Sequence, residues 1–265
     1  MAEKITKDLN PTYGSIQALK TRDTDVVVFA EDKTLKVLAN KDALFNAGGN
    51  PELTATDRVL GTAIPYAGDF GISKDPQSLA WDQYRMYFTD RQRGAILRLS
   101  QDGLTPISEV GMKTWFRDEL KKSRSIFGSF DIVGGEYNVT ITPPEYISRK
   151  SKTLSFSEGG KGWVSFKSFQ PDAAISYSGQ YVTVKNNKIW RHHSNKSLSG
   201  QIIERNSFYG EDPVNSSIEV VFNDAPSTIK SFKTINYEGS QARVDSYTGS
   251  IENAYTGNIH FQEAD

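Results

Sequence analysis

The sequence repeats the pattern of a short β-hairpin, and this repetition restricts the fold more than any other feature. In the stretch YRMYFTDRQRGAILRLSQDG, residues 84–103, Met86 and Phe88 share one face of a strand and Tyr87 takes the other, because strand side chains alternate between two faces. The polar RQRG segment ends in Gly94, which can adopt the positive φ that a tight turn needs. The AILRLS segment alternates in the same way. The stretch therefore predicts two half-buried strands joined by a turn.

The same outline recurs along the chain. Hairpin turns are predicted near Asp32, Gln92, Gly135 and Asn186. Successive copies lie roughly 45 to 60 residues apart, the spacing typical of four-stranded propeller blades. We therefore predict an all-β protein, built as a β-propeller-like array of four-stranded units, with a β-sandwich as the alternative. About three or four such units fit before residue 200, so the array is either a small ring or an incomplete part of a larger one.

Two segments are predicted to be helical rather than extended, and in a third segment the predicted strands become longer. MKTWFRDELKKSRS places Trp115, Phe116 and Leu120 at helical spacing, so it predicts one short amphipathic helix from Met112 to Ser123. KDALFNAGGNPEL predicts one helical turn at residues 42–46, before two glycines and a proline stop it. From residue 201 the strands become longer. We therefore predict a propeller-like domain over residues 1–200 and a small C-terminal β subdomain over residues 201–265.

The composition argues against several classes of function. Basic and acidic residues number 31 and 32, and the basic ones form no stripe, so we expect no nucleic-acid binding. No apolar run approaches the roughly 20 residues of a membrane-spanning helix, and the N-terminus has no secretory-signal core, so we expect no membrane insertion. The chain has no cysteine, which removes disulfides, thiol catalysis and zinc-thiolate sites. We expect no cofactor and no metal.

Residues that could support catalysis are present but form no catalytic motif. His192 and His193 are adjacent and His260 is the third histidine, so the HExxH spacing is missing. SEGGKGW lacks the Ser or Thr that must follow the lysine of a phosphate-binding loop, and we predict a turn there. A propeller glycosidase needs two positioned carboxylates, for which the available acids are Asp90, Asp131, Glu136 and Glu145. We predict that the protein is not an enzyme, with such a glycosidase as the alternative.

Several unusual strings in the chain resemble a known family. They are DVVVFAEDKTLKVLANKDALFNAGGNP, VLGTAIPYAGDFGISKDPQSLA, YRMYFTDRQRGAILRLSQDGLTPISEVGMKTWFRDEL and VVFNDAPSTIKSFKTINYEGSQARV, within residues 18–244. Together they resemble the C-terminal part of large virion structural proteins of tailed bacteriophages, most of all those of contractile-tailed marine phages. The resemblance implies a non-enzymatic tail or baseplate component of the virion, assembled in the host bacterial cytoplasm through contacts with other virion subunits. A homo-oligomer in the particle and an adhesin that binds a host-surface glycan are further partner hypotheses.

The string FNDAPSTIKSFKTINYEGS is the candidate contact surface. NDAP is a turn sequence, because its polar side chains can bond their own backbone and its proline fixes φ. The strand that follows mixes polar and apolar side chains on both faces, which suits a strand partly covered by protein. We predict that this segment docks against a neighbouring virion subunit, with a solvated sheet edge as the alternative. The predicted interface residues are Asn223, Asp224, Lys230, Tyr237 and Glu238.

Overall fold

A computed structural model describes residues 6–22, 25–45, 51–148, 150–218 and 227–231 of the chain. The chain divides into two compact units, Met1–Ser216 and Ser217–Asp265. All the strands and the helix described below lie in the first unit. In the second unit the described residues are 217–218 and 227–231, and these contain no strand. The predicted C-terminal β subdomain therefore lies largely outside the described residues and stays a prediction.

The described strands form four antiparallel sheets, and in each sheet the strands follow one another in chain order. Sheet 1 contains β1 (Ile16–Arg22), β2 (Asp25–Ala30), β3 (Thr34–Phe45) and β4 (Pro51–Pro65). Sheet 2 contains β5 (Ala80–Trp81), β6 (Met86–Asp90), β7 (Ala95–Ser100) and β8 (Gly103–Pro106). Sheet 3 contains β9 (Ser125–Asp131), β10 (Glu136–Thr142), β11 (Lys152–Ser157) and β12 (Gly162–Lys167). Sheet 4 contains β13 (Ala173–Tyr177), β14 (Gln180–Lys185) and β15 (Lys188–Arg191).

The prediction of a mostly β fold with one short helix is confirmed. Strands make up 46% of the structure, and the α-helix of the described residues, α1 (Lys113–Lys122), lies within the predicted range. Phe116 and Leu120 are its buried residues. Short 3-10 turns lie at Pro11–Tyr13, Pro76–Ser78 and Ile107–Glu109.

The helical turn predicted at residues 42–46 is wrong over residues 42–45. These residues are the end of β3, in which Asp42 pairs with Thr54 and Ala43 pairs with Leu53 of β4. In an antiparallel ladder, alternate residues of each strand form backbone hydrogen bonds with the partner strand. These bonds outweigh the helix propensity of Ala and Leu, which contributes little in so short a segment.

Each of the four predicted hairpins lies in a different sheet. Their turns join β2 to β3, β6 to β7, β9 to β10 and β14 to β15. Gly94 has a φ of 68°, and Asn186 and Asn187 have φ values of 52° and 59°, so the turn residues adopt the left-handed conformation that such turns require. The hairpins are therefore separate repeating units rather than parts of one flat sheet.

Sheets 1 and 2 pack face to face through an apolar layer. Phe29 of sheet 1 meets Phe88 of sheet 2 edge to face, with ring centroids 5.0 Å apart. Val27 from sheet 1 and Leu97 and Leu99 from sheet 2 complete the same cluster. Such a layer buries large apolar side chains from both sheets and excludes water.

Sheet 2 uses its other face to pack against sheet 3. Tyr87 stacks on Tyr137 of β10 at a centroid distance of 4.9 Å, and Ile96, Val139 and Phe116 of α1 belong to the same buried cluster. Both faces of β6 and β7 are thus buried, whereas the sequence predicted half-buried strands. The reason is that sheet 2 lies between two other sheets, so the alternation of side chains divides them between two cores rather than between core and solvent.

Sheets 3 and 4 meet through a polar layer. The hydroxyl of Tyr181 in β14 lies 2.7 Å from Oγ of Ser129, and Oγ of Ser176 in β13 donates to the carbonyl of Phe130 at 2.5 Å. Asn138 accepts a hydrogen bond from Ser155 on the same face of sheet 3. Burial raises the pKa of Tyr181 to about 12. Buried polar groups are tolerated here because they bond one another.

The four sheets therefore contact one another in chain order, from sheet 1 to sheet 4. Three of them have four strands and sheet 4 has three. The described residues form no closed ring of sheets, so the predicted propeller-like arrangement stays a prediction.

Candidate functional site

Of the five predicted interface residues, the structure describes Lys230. Its side chain is half-buried, and the neighbouring Ile229 is fully exposed. Asn223, Asp224, Tyr237 and Glu238 lie outside the described residues. The interface predicted there is consequently not tested by the structure.

The acids available for catalysis are engaged in bracing turns and linking strands. Each has a cationic partner or a histidine within 3.0 Å: Asp90 with Arg93, Asp131 with His193, Glu136 with Lys167 and Glu145 with Arg124. Asp90 is buried and also accepts hydrogen bonds from the Gly71 amide and the Ser73 hydroxyl. Asp131 accepts from two amides of the turn that follows β9. These contacts give Asp90 and Asp131 a structural role, whereas Glu145 forms a solvent-exposed ion pair.

The two adjacent histidines have different surroundings. His192 is packed against Phe169 and Tyr181, and its Nε2 lies 2.8 Å from the Thr183 hydroxyl. Burial, helped by the nearby His193, lowers the pKa of His192 to about 4. Within the described residues, no group of three His, Asp or Glu side chains could hold a metal ion.

The outer face of sheet 4 is apolar and exposed. We use this name for the side of sheet 4 that faces away from sheet 3, formed by alternate residues of its three strands: Ala173, Ile175, Tyr177, Gln180, Val182, Val184, Ile189 and Arg191. The side chains of Ile175, Tyr177 and Ile189 are 62%, 75% and 77% exposed. Val182 and Val184 are half-buried between them.

The polar layer explains why this apolar face points outward. Tyr181 and Thr183 alternate with the two valines of β14, and both are buried on the inner side. Tyr181 bonds to sheet 3, while Thr183 bonds to His192 and to the Tyr209 hydroxyl. Since strand side chains alternate, placing the polar pair inside leaves the valines outside. Sequence reasoning missed this face, although the alternation in DAAISY and QYVTVK is its signal.

The other end of the sheet stack is more fully covered. The outer face of sheet 1 carries Val28 and Leu35, which are buried in a cluster with Leu9 and Tyr13 from the residues before β1. Leu19 at the edge of this face stays 60% exposed. Ile175, Tyr177 and Ile189 of sheet 4 are each more exposed than Leu19, so the outer face of sheet 4 is a candidate contact surface. In the part of the chain that the structure describes, no helix has the length and apolar character needed to cross a membrane.

Comparison with known protein families gives two matches, which lie along the chain without overlap. A family described as Crassvirus muzzle protein matches residues 6–187, and one described as Crassvirus muzzle protein C-terminal domain matches residues 203–263. No curated protein matches the chain. The predicted resemblance to phage virion proteins is confirmed at that level, while the matched families do not name contractile-tailed marine phages. The chain therefore belongs to the Crassvirus muzzle protein family and is a structural protein of a bacteriophage virion.

Proposed function

We propose that the protein is a non-enzymatic component of the phage tail that acts through protein contacts, chiefly with the outer face of sheet 4. The observation that carries this proposal is the set of exposed Ile175, Tyr177 and Ile189 side chains on one sheet face. Membership of a virion family supports it, because subunits of a particle are in contact with neighbours. The tail location, in preference to the baseplate or another position, follows the name muzzle and the resemblance of the sequence.

Contiguous apolar side chains on a sheet face are expensive to leave in water. Soluble monomers rarely expose large apolar patches, and such patches usually mark contact sites. Tyrosine at the centre of an interface contributes a large rigid surface with a polar end. Arg191 on the same face adds a charged rim. The surface thus has an apolar centre and a polar edge, which is the composition of a protein interface.

The occupant that we propose for this face is a second copy of the chain. Sheets 1 to 4 stack in order, and each inner sheet packs against one neighbouring sheet on each of its two faces. A second copy that presents its sheet 1 side, with Leu19 exposed, would continue the same stacking across the subunit boundary. Contacts between two different surfaces of one protein generate rings when the rotation closes. In this arrangement the propeller-like array is incomplete in one chain and is extended by the next.

Charge substitutions on the face test this proposal. In Ile175→Lys/Ile189→Lys, two charges replace exposed apolar side chains, so the fold should keep its thermal midpoint while self-association is lost. The control is Leu198→Lys, since Leu198 is also an exposed apolar residue but lies outside sheet 4. Light scattering after size exclusion should give a concentration-dependent mass for the wild type and the control, and a monomer for the double variant. Identical masses for all three proteins would contradict the proposed contact.

The location in the particle is tested separately. Gold-labelled antibody against the chain should bind to one end of intact virions, at the tail. Label distributed over the capsid would contradict the tail location. The contact through the outer face of sheet 4 is tested independently, by light scattering.

The segment around Lys230 is proposed as a second contact with a neighbouring virion subunit. Lys230 and Tyr237 would supply a polar contact and an amphipathic anchor. The affinity of the isolated chain for a candidate tail subunit should fall in Lys230→Glu. Equal affinities for wild type and variant would remove this segment from the interface.

A further inference from the structure

A cleft opens between sheets 2 and 3, near the turn that joins β11 to β12. Its volume is about 550 Å³, which lies within the range of pockets that bind small ligands or short peptide segments. Pro106, Ile107 and Val110 supply apolar lining from sheet 2 and the 3-10 turn that follows it. Phe156 of sheet 3 also lines the cleft, but its side chain is 97% buried and exposes almost no ring face.

The charged lining of the cleft is predominantly basic. Arg85, Arg98 and Lys161 contribute three positive charges, and Glu158 contributes the one carboxylate in the lining. Lys161 is exposed in the turn after β11. Asp82, just outside the lining, also pairs with Arg85 at 3.1 Å. One positive charge remains in excess, and it favours an anionic ligand.

Glu158 holds the two arginines in place. Its Oε2 lies 3.2 Å from Nη1 of Arg98 and 3.4 Å from Nε of Arg85, and its Oε1 accepts a hydrogen bond from the Tyr87 hydroxyl at 2.8 Å. Burial and this hydrogen bond raise the pKa of Tyr87, so the hydroxyl stays a donor. Two fixed guanidinium groups need little further ordering when a ligand arrives.

The arginines have donors to spare. A guanidinium carries five N–H groups, and Nη1 and Nη2 of Arg98 each make one hydrogen bond, to Glu158 and Ser100, which leaves each of these nitrogens a second N–H. The oxygens of carboxylate and phosphate groups match the planar N–H donors of arginine, and other anions of biological polymers match them less closely. Arg98 and Lys161 both line the cleft, so both are available to a carboxylate that enters it.

We propose that this cleft binds an acidic segment of a neighbouring virion protein, with a carboxylate at the arginines and an adjacent apolar side chain on the lining of Pro106 and Val110. The proposal rests on the proposed function, which supplies protein neighbours. A sugar is disfavoured because sugars stack on open aromatic faces and the ring of Phe156 is covered. The apolar lining instead suits a leucine or phenylalanine next to an acid.

Peptide binding to the intact chain tests the proposal. The probes are fluorescein-labelled peptides in which one or two acids alternate with Leu and Phe at spacings of one, two or three residues, and each has an amide twin with Asn and Gln. Fluorescence polarisation at low salt should give at least one acidic peptide that binds about tenfold more tightly than its twin. Binding should weaken as salt rises, because ions screen exposed charges.

Two lysine variants locate the binding. Lys161→Glu reverses a charge at the cleft and should weaken binding of the acidic peptide about fivefold or more. Lys188→Glu reverses an exposed charge at the start of β15 in sheet 4 and should leave binding of the acidic peptide unchanged within about twofold. Thermal unfolding of each variant confirms that it is folded, and Lys161→Gln provides a milder change at the same position.

Three results would overturn the proposal. These are equal binding of every acidic peptide and its amide twin, equal effects of the two lysine variants, and tighter binding of an oligogalacturonate than of any peptide. None of these results tests the location of the protein in the particle or the contact through the outer face of sheet 4. Antibody labelling and light scattering test those two parts of the proposed function.

Discussion

Lowering the pH should destabilise the first unit of the chain through His192. Burial lowers the pKa of His192 from 6.5 to about 4, and the charge of His193 acts in the same direction while Asp131 opposes it. Between these two pKa values the unfolded chain holds a proton that the folded chain does not. The free energy of unfolding must therefore fall as the pH drops from 6.5 to 4, and this contribution levels off below pH 4.

The size of the effect follows from the pKa difference. One pKa unit corresponds to about 1.4 kcal/mol, so complete transfer from 6.5 to about 4 corresponds to about 3 kcal/mol. His192 keeps some solvent contact, and water screens part of this energy. We expect the free energy of unfolding to decrease by about 1–2 kcal/mol through this residue between pH 7 and pH 4.5.

Urea unfolding of wild type and His192→Gln at several pH values measures this contribution. Glutamine does not titrate and retains a polar atom for the Thr183 hydroxyl. Trp81, Trp115, Trp163 and Trp190 all lie in the first unit, so tryptophan fluorescence reports its unfolding. The other titrating groups are common to both proteins and cancel in the difference.

The wild type should lose about 1–2 kcal/mol more than His192→Gln between pH 7 and pH 4.5, and the two should show parallel curves above pH 7. Parallel curves over the whole range would refute the reasoning, because His192 would then have the same proton affinity in the folded and unfolded chain. A wild type that becomes more stable on acidification relative to the variant would reverse the sign and refute it as well.

Three further predictions concern the contacts between sheets, and each is checked by urea unfolding. Tyr181→Phe removes the hydroxyl that bonds Ser129 and should lower the free energy of unfolding by about 1–3 kcal/mol, since it leaves a buried polar group without its partner. Phe88→Ala leaves a cavity between sheets 1 and 2 and should cost about 3–5 kcal/mol. Gly128→Ala would place a methyl group 2.1 Å from the carbonyl oxygen of Ser78 and should cost about 3 kcal/mol. Gly179→Ala has nothing within 4 Å and should cost about 1–2 kcal/mol, which comes from its left-handed φ of 71°.

The hairpins could be predicted from sequence because their information is local. A turn such as Asn186-Asn187 or the one ending in Gly94 contains residues that tolerate positive φ, flanked by alternating side chains. These features fix where the chain reverses whatever lies around it. The helix at Lys113–Lys122 was predictable for the same reason, since its apolar spacing is contained in one short segment.

The packing of the sheets could not be predicted in the same way. Alternation identifies two faces of a strand but does not say how many of them will be covered. In β6 both faces are buried, with Phe88 in one core and Tyr87 in another. In β14 the valines face outward and Tyr181 faces inward. These outcomes depend on which sheet packs against each face of a strand, and no short stretch of sequence contains that information.

The candidate sites differ in how much of each could be predicted from the sequence. The cleft between sheets 2 and 3 joins Arg85 and Arg98 to Glu158 and Lys161, which are 60 to 76 residues away along the chain. The sequence identified SEGGKGW as a turn, and the structure has a turn there, but its role beside the arginines depended on the sheets being stacked. The segment around Lys230 was chosen for its composition and its family resemblance, and it remains a prediction.

The polar layer between sheets 3 and 4 determines which side of sheet 4 faces sheet 3. If the inner side of sheet 4 were apolar like its outer face, either side could pack on sheet 3, and the position of sheet 4 would be poorly specified. Tyr181 bonds the hydroxyl of Ser129, and the carbonyl of Phe130 accepts from Ser176. An apolar side placed there would leave these groups of sheet 3 buried without partners, at a cost of several kcal/mol. The polar side of sheet 4 is therefore committed to its own chain, and of the two sides of this sheet the apolar outer face is the one left for a neighbouring subunit.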